Sequence, residues 1–275
     1  MKTKITVGSV ISAFFKLFFI VIFIFPFYWM IVTGFKTYQE TIAFPPSLWP
    51  QSLQWVNFEK VWNSGPYLTY LLNSVLVSVG TLILQTAVMI PASYAFAKFE
   101  FKGRGFLFAI VMVAFMIPQQ VTFISIFNMM STLRWLDTLW PQIIPHAANA
   151  FGIFLLRQNF MQIPDELLES ARLDNAGEFQ ILTKIMLPMG KATLVSILML
   201  SFISTWNDYF WPFIMASNTS VYPLTMGIAA LRDVEGAYDW EIIMAGNVIL
   251  VVPIIIVYAL FHKRIVRAFA YSGIK

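Results

Sequence analysis

PDELLESARLDNAGEFQILTKIMLP, running from Pro164 to Pro188, is the longest charge-dense stretch of this chain. It carries Asp165, Glu166, Glu169, Arg172, Asp174, Glu178 and Lys184, whereas Val61 to Ala97 carries no charged side chain at all. A polar, helix-patterned island between two apolar runs does not lie in lipid, which offers charge no solvation. It faces water and a partner.

Around the island the chain is hydrocarbon. Of 275 residues, 59% are hydrophobic and 12% charged, with a mean hydropathy of +0.72. A soluble domain carries about 25% charged residues, so the composition implies an integral membrane protein, read as a single domain over residues 1–275. A helix needs about 20 apolar residues to cross the hydrocarbon. Six runs qualify: 14–35, 67–97, 105–130, 139–160, 192–216 and 242–261. The expected fold is all-α, with six transmembrane helices. Lys2 and Lys4 precede an apolar stretch in the manner of a signal peptide. That stretch continues unbroken from Leu17 to Phe35 with no A-x-A site after it, so it reads as the first span.

Six spans put both termini on one side. Of the 18 Lys and Arg, only Lys36, Lys60, Arg134 and Arg232 fall on the other side, leaving fourteen with the termini and the island. Positive residues concentrate on the cytoplasmic face, which places both termini and residues 164–188 in the cytoplasm. This also accounts for the net charge of +4 without nucleic acid. All nine Trp, from Trp29 to Trp240, fall in the outer half of this scheme. They either anchor and pack the Pro-rich segment Phe44–Pro50 or form an outer docking or sugar-stacking surface.

Each run contains a proline: Pro26, Pro91, Pro118, Pro145, Pro212 and Pro253. Kinked helices around a cavity are expected. Ser74, Ser78, Thr81 and Gln85 recur at helical spacing in the second run, with Asn73 beside them. Ser201, Ser204, Thr205 and Asp208 share a face in the fifth, next to Asn207. A carboxylate at membrane depth marks a function or a paired structural site. With Gln119, Gln120, Asn128 and Asn247, these residues are the candidate lining of a pathway; the hydroxyls serve equally well as helix-packing groups. No cysteine is present, and His146 and His262 are too few for a histidine metal cluster, so no metal or cofactor is expected.

The island reads as helix, turn, helix. Pro164 suits a first helical position, and Asp165 and Glu166 favour the positive end of the dipole. Leu167, Leu168 and Ala171 form an apolar strip, and Asn175 and Gly177 allow a left-handed turn. A second helix then turns Phe179, Leu182, Ile185 and Met186 inward and closes at Pro188. Such an amphipathic pair fits a groove; lying flat on the membrane is the alternative, opposed by the acidity of the first helix.

The segment resembles the cytoplasmic signature loop of binding-protein-dependent ABC importer permeases, E-A-A-x3-G-x9-I-x-L-P. Glu169, Ser170 and Ala171 take the first three positions, and Ile185, Leu187 and Pro188 the last. Ser170 replaces an alanine and Asn175 the glycine; Asn is the next-best residue for a left-handed turn. Tyr70-Leu-Leu-Asn73-Ser74, Ile117-Pro118 to Pro145, Phe154-Leu-Leu-Arg157, Trp206-Asn207-Asp208 and the basic tail resemble the carbohydrate class, most of all its maltose-type six-span subunit.

The resemblance implies one of two permease subunits, usually non-identical, on two ATPase subunits, with an extracytoplasmic binding protein delivering the sugar in a prokaryotic cytoplasmic membrane. The loop, with Glu169, Asp174, Asn175 and Gly177, would be the coupling helix docked in the ATPase. The chain itself lacks G-x-x-x-x-G-K-[ST]; Gly190-Lys191-Ala192-Thr193 has neither the upstream glycine nor the adjoining hydroxyl, so it is not expected to be an enzyme. A non-sugar solute such as a polyol phosphate is the alternative cargo. A secondary transporter would need midplane carboxylates beyond Asp208, and a membrane enzyme a catalytic cluster that two separated histidines do not make.

Overall fold

The computed structural model describes residues 7–232 and 239–272. Lys2, Lys4 and Lys275 lie outside them, as do the side chains of His262, Lys263, Arg264 and Arg267. The regular secondary structure of the described residues is all helical, with no strand. In chain order the helices are α1 (Val7–Gly34), α2 (Tyr38–Ile42), α3 (Val56–Asn63), α4 (Tyr67–Lys98), α5 (Arg104–Met116), α6 (Gln119–Thr132) and α7 (Trp140–Ile143). There follow α8 (Ala150–Met161), α9 (Asp165–Leu173), α10 (Glu178–Ile181), α11 (Leu187–Trp206), α12 (Phe210–Met215), α13 (Leu224–Ala230) and α14 (Trp240–Ser272).

Four helices among the described residues are long and apolar enough to cross a membrane: Val10–Gly34, Tyr67–Lys98, Glu178–Trp206 and Trp240–Phe261. The pair α5 and α6 makes a fifth if it counts as one span, bent by 99°. Ile117 is extended (ψ 120°) and ends α5, and Pro118 caps α6 with ψ 131°. Proline drives the residue before it out of the helical region. The run 139–160 is not one helix: α7 gives way to a 3-10 turn at Ile144–His146. Asn149 then restarts the chain by accepting the Gly152 N–H at 2.8 Å, and α8 is only 12 residues long.

The expectation that Pro188 closes a short helix fails. Glu178 to Trp206 is a continuous helical segment, and the reason lies just upstream of the proline. Leu182–Met186 is a π turn in which the Leu187 N–H reaches the Leu182 carbonyl, five residues back. Proline clashes with the carbonyl four residues back and donates nothing; a widened turn ahead of it relieves that crowding. The fifth run therefore begins earlier than expected, and its C-terminal part is a separate short helix, α12.

The chain divides into two compact units, one made of residues up to Tyr67 with Gly227–Pro253, the other of Leu68–Met226 with the residues from Ile254 on. In the first, α1 approaches α14 so closely that a Cβ on Gly34 would lie 3.1 Å from the Ala245 nitrogen. The turn after α1 is a polar knot. Asn57 donates to the carbonyls of Gly34 and Lys36 at 3.0 and 2.8 Å, and Lys36 donates to Ser47 O at 2.6 Å beneath the Trp29 ring. Thr37 and Glu40 form a reciprocal capping box on α2. The core of the second unit joins α4, α8, α9 and the 178–206 helix through Met89, Leu156, Phe160, Leu168, Ile181, Met186 and Ile197. Gly152 is required there: a Cβ would collide with the sulfur of Met89 and sit 3.0 Å from Ile197.

Candidate functional site

Two features of the second unit have functional chemistry: a polar cavity among apolar helices, and the loop from Pro164 to Pro188. The cavity, about 380 Å³, is bounded by Gln85 of α4, Phe115 and Gln119 on either side of the 99° bend, the 145–151 segment and Ser201, Ser204 and Thr205 of α11. A second space of about 140 Å³ shares Gln119, His146, Ser204 and Thr205 and adds Gln120 and Asp208. The larger volume is within the range of small-molecule sites, about 300–1,000 Å³. The broken segments create the cavity, because they bring non-helical backbone and its capping side chains into an apolar layer.

Asn149 organises the wall. Its amide nitrogen donates to Ser201 Oγ at 3.0 Å and to Gln85 Oε1 at 3.4 Å, while Gln85 donates to the His146 carbonyl at 2.9 Å. Three elements are thereby pinned through one cap. Asp208 accepts the Trp211 N–H at 3.3 Å and holds one further carboxylate oxygen 3.9 Å from His146 Nε2, too far for a hydrogen bond. His146 stacks edge-on against Trp211, and its buried Nε2 has no hydrogen-bond partner among the described residues. Unspent amide, hydroxyl, imidazole and carboxylate groups around a cavity are a set for binding hydroxyl-bearing molecules. Among the described residues, no three His, Cys, Asp or Glu side chains gather to hold a metal.

The predicted lining residues divide. Gln85, Gln119, Gln120 and Asp208 come together at the two cavities, with Ser201, Ser204 and Thr205. Asn73 is spent on the carbonyls of Ser220 and Tyr222, at 2.8 and 3.0 Å, and Ser74 accepts the Leu224 N–H at 2.8 Å. Ser78 and Thr81 are buried, their hydroxyls have no hydrogen-bond partner among the described residues, and they line neither space. Asn207 bonds its own helix at Ile203 O, Asn128 is exposed on α6, and Asn247 bonds Ile243 O within α14 of the first unit. His146 and Asn149 are site residues that the sequence reading missed. Asn149, directly before the apolar run from Ala150, carries an N-cap signal that would have found the break.

In the loop, α9 buries Leu168 and presents Glu169 and Ser170 to solvent. It ends in a Schellman turn: the Asn175 N–H bonds Arg172 O at 3.0 Å and the Ala176 N–H bonds Ala171 O at 2.9 Å. Asn175 takes φ +60° there, the position of the glycine in the resembled motif. Gly177 does not share the left-handed turn; it is extended (φ −71°, ψ 157°) and caps α10. Asp174, at the end of α9, is exposed. Of the residues expected inward, Leu182, Ile185 and Met186 are at least partly buried, but Phe179 points out, 78% exposed, as does Leu173 at 84%. Exposed large apolar groups beside a carboxylate make an unfilled contact surface.

The loop is tied to α4 at two points. Lys98 donates to Ile163 O and to Asp165, each at 2.6 Å, and its hydrogen bond and charge hold the Asp165 carboxyl below the usual carboxylate range. Arg172 donates to Glu178 Oε1 at 2.9 Å and Tyr94 to Glu178 Oε2 at 2.5 Å.

Comparison with known proteins matches residues 87–271 to the family described as "Binding-protein-dependent transport system inner membrane component". The arabinooligosaccharides transport system permease protein AraQ of Halalkalibacterium halodurans is 30% identical over 98% of this chain and 95% of its own. The sn-glycerol-3-phosphate transport system permease protein UgpE of Yersinia pestis is 30% identical over 92% of each chain. Among solved structures, a chain of a bacterial ABC transporter involved in alginate import shares the fold with a TM-score of 0.83, at 24% identity over 94% of this chain and 96% of that one.

Proposed function

The chain belongs to the family of binding-protein-dependent transport system inner membrane components, and from that premise we propose that it is a permease subunit of an ATP-driven importer of sugars in a prokaryotic cytoplasmic membrane. In this reading it forms half of the pathway with a second, non-identical permease. Two separate ATPase subunits hydrolyse the ATP, and an extracytoplasmic binding protein delivers the sugar. The chain crosses six times with both termini in the cytoplasm, α5–α6 and the 140–161 segment being broken crossings. The loop from Pro164 to Pro188 docks in the ATPase through Glu169, Leu173 and Phe179, and ATP-driven closure moves the cavity from inward- to outward-facing.

One observation carries this reading. The segment Glu178–Trp206 has the loop at one end and Ser201, Ser204 and Thr205 of the cavity at the other. At 1.5 Å per residue it reaches about 40 Å, enough to carry a displacement across the hydrocarbon. The cargo follows from the lining: among the described residues no Lys or Arg borders either space, and Asp208 borders the smaller one, which favours a neutral sugar over a phosphate ester.

Reconstitution with the cognate partners tests it. ATP-dependent accumulation of neutral oligosaccharides is expected, and Glu169→Lys should cut it by roughly tenfold or more, the scale of a lost buried charge contact, with membrane insertion intact. Undiminished uptake by that variant would remove the loop's coupling role. Uptake of glycerol phosphate and of no sugar would overturn the cargo.

A further inference from the structure

Glu178 divides its carboxylate between two elements and begins a third. Oε2 accepts from Tyr94 of α4, Oε1 from Arg172 in the last turn of α9, and the residue itself opens the helix that runs to Trp206. Tyr94 is buried in the core beside Leu168, Ile181 and Met186, so its hydroxyl is fixed in place. At the other end of α9, Lys98 of the same helix α4 grips Asp165. A helix of nine residues is thus tied to α4 directly at its start, through Lys98, and indirectly at its end, where Glu178 bridges Arg172 to Tyr94. These are side-chain bonds to an exposed loop, and they form and break without unfolding the backbone.

We propose that Tyr94, Glu178 and Arg172 form a latch that positions α9 as one body with α4 and the 178–206 helix, so that opening it uncouples ATP hydrolysis from transport. The latch rests on the coupling-loop reading above and adds to it the positioning residues through which the loop acts. With the latch closed, displacement of α9 reaches Gln85 through α4 and Ser201 through α11. With it open, α9 swivels about its Schellman turn and the displacement dissipates in the loop. Glu178 lines neither cavity; it acts by fixing the angle at which α9 is presented.

The test uses the assembled, reconstituted importer carrying Tyr94→Phe, which removes only the hydroxyl, or Glu178→Gln, which keeps the shape and removes the charge. Both variants are expected to assemble with the ATPase and to hydrolyse ATP as the parent does. Sugar transported per ATP should fall roughly tenfold, the scale of one lost hydrogen bond to a charged group. A spin label at Ser170 should become more mobile in both. An unchanged transport-to-ATP ratio overturns the proposal, as does an immobile label. A loss of uptake and hydrolysis in strict proportion, with a lowered melting midpoint, also overturns it and assigns the bonds to structure alone. Glu169→Lys run in parallel separates the two claims: if it leaves uptake undiminished the coupling-loop reading fails, whatever the latch variants do.

Discussion

Two polar knots follow long apolar helices in this protein, and they are built on opposite plans. After α1, Asn57, Lys36 and Glu40 are all buried, and their bonds go almost wholly to backbone: Gly34 O, Lys36 O, Ser47 O, Thr37 N and Gln51 N. After α4, apart from Lys98 to Ile163 O, the bonds join side chain to side chain, Lys98 to Asp165, Arg172 to Glu178 and Tyr94 to Glu178, and the loop side of each is exposed. Backbone groups taken out of water have no second partner once a bond is lost. Exposed ion pairs exchange readily for water and contribute little to stability. The first plan holds the chain in one conformation; the second leaves it able to move.

The largest effect that would sharpen this contrast is expected at Asn57. In Asn57→Leu two buried carbonyls lose their donor, and each unsatisfied group costs about 1–3 kcal/mol. The thermal midpoint in detergent should fall sharply and the yield of folded protein with it. A midpoint equal to the parent's would mean that water reaches those carbonyls, and the knot would then be no more rigid than the loop.

Glu40 comes next, and its signature is pH. Burial pushes its carboxyl up, but the N–H groups of Thr37 and Gln51, the Thr37 hydroxyl and Lys36 together outweigh burial and hold it below the ordinary range. A depressed carboxylate contributes stability that is present above the unfolded value, about 4.3, and is lost as pH falls through the folded one. The parent should therefore lose stability in that acid window. Glu40→Gln should be weaker at neutral pH by about 1 kcal/mol, the difference between charged and neutral hydrogen bonds, and flatter below pH 5. Parallel midpoint curves for the two proteins across that window would show that the carboxylate is not what ties the knot.

The two knots were not equally legible. The island between Pro164 and Pro188 announces itself by charge, and Asn175 adopts the left-handed turn its side chain allows. Thr37-x-x-Glu40 is also a written capping box, but it is brief and sits beside an apolar run that dominates any window. Partners distant in sequence were unreadable: the helical spacing of the polar residues in α4 marks a face, yet nothing in it says that Asn73 and Ser74 are spent on residues 220–224. Prolines misled in both directions. Pro118 breaks its run and Pro188 does not, because a π turn absorbs the second, and no local pattern announces a π turn. Phe179 was expected inward on helical period alone, which cannot tell a core-facing apolar group from one left for a partner.

The smallest expected effect is the one most able to break the contrast. Asp165→Asn removes the charge from a pair whose carboxylate side is 74% exposed while Lys98 is 5% exposed. The lysine keeps its bond to Ile163 O, so the buried carbonyl stays paired and the ammonium is not stranded. Asn still accepts a hydrogen bond, and Glu166 remains in the first turn of α9 to meet the helix dipole. What is lost is Coulomb attraction across a water-facing pair, which salt screens over about 10 Å at 0.1 M. The melting midpoint should therefore match the parent's at low and at high ionic strength. If instead the variant melts earlier at low salt and the gap closes at high salt, the pair stabilises the fold in its own right. The loop would then be anchored by the same kind of debt to folding as the knot after α1, and its freedom to move could no longer be read from the exposure of its charges.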